Sequence, residues 1–445
     1  MKSFFLLLLS FLLVTICCLA QPARHVVLIS IDAMRPEFYL DPVWPAPTLQ
    51  RLKREGVYAE RVIPVFPTVT YPNHTSIITG ALPVHHGIGA NTPFEPEGVT
   101  GRWNWEYSLI KCPTLWSAVR SAGLSSAAVV WPVTVGAPID YNVPDIWSLD
   151  RKTDNIQLLK QLATPRGIVD ELEANATGQL KAEDINSELL RTDENTGRMA
   201  AYLLEKYRPA LTALHLVAVD HACHTYGREG QEVRVAVAAV DRVIAEILEA
   251  LEKAGIRDST AVLVVGDHGF SDVHSTLFPN VWLKKAGILG EGPQWKAMFQ
   301  SASGSAFLHL QRADDSATLR AVRALLSGLP AGQQRLFTVF GRDELDKAGA
   351  DRSVALALSP LPGIAIGGSA DGEVLRPAGQ KGTHGYYPSF PGIFTGMVGW
   401  GTGVRAGFVI PTMGIQDIAP IVARLLGVNF AAPDGVLFPG IVVTK

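Results

Sequence analysis

The sequence predicts an α/β domain built on a buried, mostly parallel β-sheet. Three apolar runs that each stop at an aspartate, helical patterns between them, and the alternation of the two point to it. The runs are "HVVLISID" ending at Asp32, "LTALHLVAVD" ending at Asp220 and "AVLVVGD" ending at Asp267. Each is too short and too continuously apolar for an amphipathic helix and suits a strand covered on both faces. Helices are predicted over Pro47 to Gly56, Pro113 to Gly123, Glu232 to Gly255 and Ile415 to Gly427, several opening on Pro or an acid and closing on Gly. In such sheets ligands gather outside the carboxyl ends of the strands, where the three aspartates are expected to converge.

Composition bounds the rest. With 445 residues, 47% hydrophobic and 18% charged, the chain can bury a large core. The opening "MKSFFLLLLSFLLVTICCLAQPA" has the layout of a secretory leader, with cleavage expected after Ala20; Cys17 and Cys18 raise lipoprotein processing, for which Ile16 is a poor neighbour. Losing Lys2 with residues 1–20 takes the formal charge from −3 to −4, so no nucleic-acid-binding surface is implied. No stable membrane span is expected after cleavage. Cys112 and Cys223 remain, too few for a disulfide scaffold. Residues 21–445 read as one catalytic domain, with 150–195 a polar, helical cap or surface insertion.

The stretch "FPTVTYPNHTSIITG", Phe66 to Gly80, packs five hydroxyls beside two prolines and a histidine. Buried hydroxyls need partners, so an ordinary core does not ask for them and a nucleophile site does. The histidines have metal-ligand spacing: His224 four residues after Asp220, His268 directly after Asp267, and His384 in the glycine-flanked "GTHGYY". Carboxylates and imidazoles in similar numbers suit zinc, iron or manganese better than magnesium or calcium.

Taken in order, "ISIDAMRPEF", "FPTVTYPNHTSIITGALPVHHGI", "VDHACHTYG", "GDHG" and "GTHG" resemble the nucleotide pyrophosphatase/phosphodiesterases (type I phosphodiesterases) of the alkaline phosphatase superfamily, from about His25 to about Val428. The resemblance implies an alkaline-phosphatase-like three-layer fold and an extracytoplasmic hydrolase, periplasmic or secreted, acting on a small phosphodiester or nucleotide. It further implies two zinc ions, one held by Asp220, His224 and His384, the other by Asp32, Asp267 and His268 with the Thr70 oxygen. Thr70 is then the nucleophile, forming a phosphothreonine-type intermediate, while Asn91 and the backbone N–H of Tyr71 hold phosphoryl oxygens. Thr68, Thr75, Ser76 and Thr79 are expected to cap and orient the helix that follows.

From Phe66 to Asn91 there is no Lys or Arg, which favours a monoanionic diester over a dianionic monoester; Arg35, near Asp32, is assigned to capping or packing. Two positions depart from the family pattern. Cys223 stands where glycine is common and reads as a buried small thiol, and His215 stands where nucleotide-cleaving members often have tyrosine, leaving Tyr71 as the aromatic beside the nucleophile. The alternatives are a phosphonate hydrolase of the phosphonoacetate hydrolase type on the same scaffold, and a zinc-binding protein without catalysis. A sulfatase is disfavoured, because the loop lacks the Cys/Ser-x-Pro-x-Arg context of a modifiable Cys or Ser. The sequence leaves the oligomeric state open.

Overall fold

The computed structural model describes residues 23–443 except 151, 185–189, 291, 293 and 391. The expected leader, 1–20, with its cysteines and cleavage point, lies outside the described residues. Among them, no helix is long and apolar enough to cross a membrane.

The architecture is the expected one, a large central sheet flanked by helices. Its strands are β1 (His25–Ile31), β2 (Val57–Ile63), β3 (Ser126–Val129), β4 (Tyr141–Val143), β5 (Leu211–Leu216) and β6 (Thr260–Gly266), joined by Thr395–Gly401 and two short edge pieces. Strand β1 pairs in parallel with β5 on one side and β6 on the other, and β3 continues the parallel run to β4. Strand Thr395–Gly401 runs antiparallel between β6 and β2.

The alternation along β1 divides the core. Val27, Ile29 and Ile31 face helices Pro47–Glu55, Leu190–Tyr207 and Gln231–Lys253, while Val26 and Leu28 face Thr70–Thr79, Leu115–Ser121 and Ile418–Leu426. Within the 150–195 stretch, Ile156, Leu159, Ile168, Val169 and Leu172 are buried in the first of these layers. Two four-stranded sheets complete the fold, one of them formed by Ala297–Ser301, Ala306–Leu310, Phe337–Phe340 and Leu356–Pro360.

One expected strand end is corrected. The run to Asp220 is not all strand: β5 stops at Leu216, and Asp220 lies in the first turn of helix Ala218–Tyr226. Asp193 makes the turn, its two carboxylate oxygens accepting the Val217 and Ala218 N–H groups at 2.7 and 3.0 Å. The apolar run continues because this helix buries Ala218, Val219, Ala222 and Cys223.

Candidate active site

Asp32 follows β1 directly, and its N–H still donates to Leu216 of β5 (2.8 Å), which fixes the aspartate at the centre of the sheet edge. Asp267 follows β6 in the same way. Its Oδ1 accepts the N–H groups of Ala33 (3.2 Å) and His268 (2.9 Å), tying the two strand ends together. Asp220 and His224, four residues apart on their helix, share one face, with Oδ2 to Nε2 at 3.3 Å. His384 arrives from a loop in which Gly385 has φ +92°; a Cβ there would stand 1.9 Å from the Ala302 carbonyl oxygen, so only glycine fits.

The three predicted ligand histidines are oriented alike. His224 Nδ1 donates to the Gly382 carbonyl (3.0 Å), His268 Nδ1 to Gly269 (3.1 Å) and His384 Nδ1 to Thr68 (3.1 Å). A carbonyl only accepts, so the proton sits on Nδ1 and each Nε2 presents a bare lone pair. Those lone pairs face carboxylate oxygens: His268 Nε2 lies 3.2 Å from Asp32 Oδ1 and 3.3 Å from Asp267 Oδ2, and His384 Nε2 lies 3.6 Å from Asp220 Oδ1. Asp267 Oδ2 and His268 Nε2 are buried with no hydrogen-bond partner. Acceptor set against acceptor in a dry site is costly unless a cation lies between them, so the donor set fits metal ions.

The electrostatics agree. Burial, with His224 nearby, pushes His384 down to about 3, and burial with His384 holds His268 well below the usual imidazole range. Burial, then the neighbouring Asp220, holds the Asp267 carboxyl well above its ordinary range. These two histidines therefore stay neutral, the form that ligates, and the Asp267 carboxyl is held toward its protonated form. Asp220, His224 and His384 offer ligand atoms within 4.8 Å of one another, and so do Asp32, Asp220 and His268. Asp220 thus belongs to both groups, while Asp267 Oδ2 lies beside the same His268 Nε2, at 3.3 Å.

A cavity of about 560 Å³ opens onto these residues and is lined by Asp32, Thr70, Asp220, His224 and His384. Thr70 is the first residue of helix Thr70–Thr79, whose N-terminus favours negative charge. The other four hydroxyls of the stretch are at most 1% exposed, against 8% for Thr70, and none of them lines the cavity.

Their expected capping role is corrected: Val69 is the N-cap and no side chain caps the helix. Thr75 and Thr79 donate to the carbonyls of Tyr71 and Thr75, each at 2.7 Å, one turn back along the helix. Ser76 donates to Ala81 and Thr68 to Tyr386. Back-bonding of this kind lets hydroxyls be buried without leaving the helix.

Asn91 lines the cavity, and a second expectation changes there. Its Oδ1 accepts the Tyr71 N–H at 2.9 Å, so that N–H orients the amide instead of facing a substrate oxygen, and Nδ2 is the side chain's donor. The Tyr71 ring is 1% exposed and its hydroxyl donates to Asp145 (2.7 Å). Trp103 meets Tyr71 edge to face, with centroids 5.0 Å apart, and Trp147 meets Trp103 at 5.1 Å. Asp145, Trp103 and Trp147 all line the cavity. Sequence reasoning missed them because none sits in a motif.

His215 is an Asp32 partner, with Nε2 3.2 Å from Oδ2, and its ring packs on His74. Cys223 is fully buried, with burial pushing its thiol up to about 12. Arg35 is buried over Phe38 and Trp44 and bonds Glu229. Among the described residues no Lys or Arg lines the cavity.

Residues 26–387 match the family described as type I phosphodiesterase / nucleotide pyrophosphatase. The chain is 24% identical over 248 residues to human ectonucleotide pyrophosphatase/phosphodiesterase family member 1, across 55% of this chain and 23% of that protein. It is 27% identical over 259 residues to a mouse bis(5'-adenosyl)-triphosphatase, across 56% and 48%. The chain thus spans about a quarter to a half of the length of these curated relatives. The solved structure of human ectonucleotide pyrophosphatase/phosphodiesterase 5 superposes with a TM-score of 0.66 at 17% identity, covering 93% of this chain and 97% of that one. An inactive threonine-to-alanine variant of the murine enzyme, in complex with AMP, gives 0.64 at 18% identity over the same shares.

Proposed function

Because the chain belongs to the type I phosphodiesterase/nucleotide pyrophosphatase family, we propose that it is a hydrolase that cleaves phosphodiester or phosphoanhydride bonds of small nucleotide-like substrates through Thr70. The observation that carries this reading is the shared cavity: Thr70 opens onto the same space as Asp32, Asp220, His224 and His384. The complex of the related murine structure with AMP supports a nucleotide substrate, and its threonine-to-alanine inactivation supports a threonine nucleophile.

Asp220, His224 and His384 would hold one metal ion and Asp32, Asp267 and His268 the other, zinc by the balance of ligand types. Two such ions, when bound, supply the positive charge that activates a hydroxyl at neutral pH and stabilises the departing oxygen. The chain's own groups do the rest. Thr70 Oγ attacks phosphorus, its proton passes to solvent, and the bond to the leaving oxygen breaks with its electron pair. The phosphothreonine is then hydrolysed by water, which restores Thr70 and releases a monoester. Asn91 Nδ2 donates to a phosphoryl oxygen as charge develops. Tyr71 N–H and Tyr71 OH hold Asn91 and Asp145 in place. Tyr71, Trp103 and Trp147 form the wall against which the retained organic group packs.

With no Lys or Arg in the cavity wall, a monoanionic diester is favoured over a monoester, and no basic clamp supports a phosphonocarboxylate. Residues 21–445 act as one catalytic domain outside the cytoplasm after cleavage at Ala20. Hydrolysis of bis(4-nitrophenyl) phosphate, compared with its mono-aryl analogue and phosphonoacetate, tests the proposal. A preference for either of the latter two would overturn it.

A further inference from the structure

Asn91 sits on a loop that borders two spaces. Ala90 and Thr92 line the cavity of Thr70 and also a smaller one of about 160 Å³, whereas Asn91 lines only the first. With open space along it, the loop is not fixed by packing alone.

Two residues with amide side chains bind it instead. Asn104 takes the first half, its Nδ2 donating to the Ala90 carbonyl (2.8 Å) and its backbone N–H to the Asn91 carbonyl (2.9 Å). Gln300 takes the second half, its Nε2 donating to the carbonyls of Thr92 (3.1 Å) and Pro93 (3.3 Å).

Gln300 reaches the loop from strand Ala297–Ser301 of the small sheet, far away in sequence. Carbonyls only accept, so its amide nitrogen faces the loop and its Oε1 faces the other way. There Oε1 lies 3.1 Å from His309 Nε2, on the paired strand Ala306–Leu310, and that nitrogen must carry the ring proton. Burial, partly offset by Asp351, pushes His309 down to about 4, so the ring is neutral at ordinary pH and keeps one tautomer. Phe94, the residue after the second clamped carbonyl, stacks on the same ring, with centroids 4.0 Å apart and planes 18° from parallel. Gln300 is thus held at its far end and holds the loop with its near end.

Asn91 Oδ1 accepts the Tyr71 N–H, which leaves Nδ2 as the side chain's donor. A donor aimed at developing charge is worth most when its place is set beforehand, and small displacements are costly.

We propose that Gln300 is a positioning residue for the reaction: through the Thr92 and Pro93 carbonyls it holds the loop so that Asn91 Nδ2 meets the phosphoryl oxygen, with His309 and Phe94 as its anchor. The small sheet is then a strut for the site. This rests on the reading of Asn91 as a phosphoryl donor.

The test measures kcat and KM for bis(4-nitrophenyl) phosphate in wild type, Gln300→Met, Asn91→Ala and the double variant, with metal content and Tm checked. Gln300→Met keeps the length of the side chain and loses its hydrogen bonds, so kcat should fall about tenfold while KM changes less than about twofold. In the Asn91→Ala background the same change should cost less than about twofold, because the brace has nothing left to position. Gln300→Glu keeps an acceptor for His309 but sets a carboxylate against the two carbonyls, and should lose at least as much as Gln300→Met. Independently of turnover, the Tyr71 amide, whose acceptor is Asn91 Oδ1, should exchange its hydrogen about tenfold faster in Gln300→Met. An equal fall of kcat in both backgrounds, or a kcat or Tyr71 exchange rate in Gln300→Met within about twofold of wild type, would overturn the proposal. If Asn91→Ala kept the wild-type kcat, the Asn91 reading would fall instead, and Tyr71 exchange would still decide whether Gln300 holds the loop.

Discussion

His268 and His384 lie face to face, ring centroids 3.7 Å apart and 8° from parallel. One follows a central strand and the other sits in a distant loop, yet Gly269 and Thr68 carbonyls hold both in the same tautomer. The stacked pair forms a common wall between the two ligand groups, so disturbing one ring is expected to disturb both.

The first prediction follows. Purified protein should carry close to two zinc ions per chain, a chelator should abolish turnover, and added zinc should restore it together with a higher Tm. His384→Ala should weaken the site shared with Asp220 and His224 more than the other, as read by metal analysis. Full activity in a metal-stripped sample would refute the two-metal reading.

Thr70→Ala removes the attacking oxygen but none of the Asp and His ligands. Diester turnover should fall by about three powers of ten or more, about 4 kcal/mol of barrier, with zinc retained. Thr70→Ser should keep part of the rate. Thr68→Ala, which loses a bond to Tyr386, should do far less. A fall below about tenfold in Thr70→Ala, near 1.4 kcal/mol, would be of packing size and would remove Thr70 as nucleophile.

Asn91→Asp keeps the acceptor for the Tyr71 N–H but replaces the Nδ2 donor with a negative charge. Its kcat should drop about a hundredfold, the scale of one lost oxyanion donor, with Tm close to wild type. An unchanged kcat would show that Asn91 serves only the loop.

Asp193 holds the turn into the helix of Asp220 and His224. Asp193→Ala leaves the part-buried Val217 and buried Ala218 N–H groups without this acceptor and should cost about 2 kcal/mol or more of stability. Burial also pushes this carboxyl up from 3.8 to about 7. Between those values the folded form binds the proton more tightly than the unfolded one. Its stabilising contribution is thus greatest below pH 4 and declines as pH rises to about 7. Asp193→Asn should flatten that decline in metal-loaded protein, measured by denaturant unfolding across the range. A parallel pH profile for wild type and variant would contradict it.

The sequence made some of this legible and hid the rest for physical reasons. Asp32 and Asp267 were readable because strands buried on both faces are continuously apolar and end abruptly. Asp220 was misassigned to a strand end because a helix buried on most sides extends the same apolar run, and the residue that breaks it, Asp193, lies on another element. The hydroxyls of Phe66 to Gly80 signalled an unusual segment. Composition cannot distinguish a cap from a bond one turn back, so their partners stayed hidden. Trp103, Asp145 and Trp147 meet Tyr71 only through the fold, from segments without periodic or motif signals.

The position of β1 between β5 and β6 has a consequence for the life of the chain. The ligand groups draw on residues from Asp32 to His384, so they assemble only when strands far apart in sequence have met, a slow, non-local step. During synthesis the Thr70 segment emerges long before His384. If Thr70 is the nucleophile as proposed, a nascent chain carries it with nothing to activate it, and it stays latent until nearly all of the polypeptide has been made and folded.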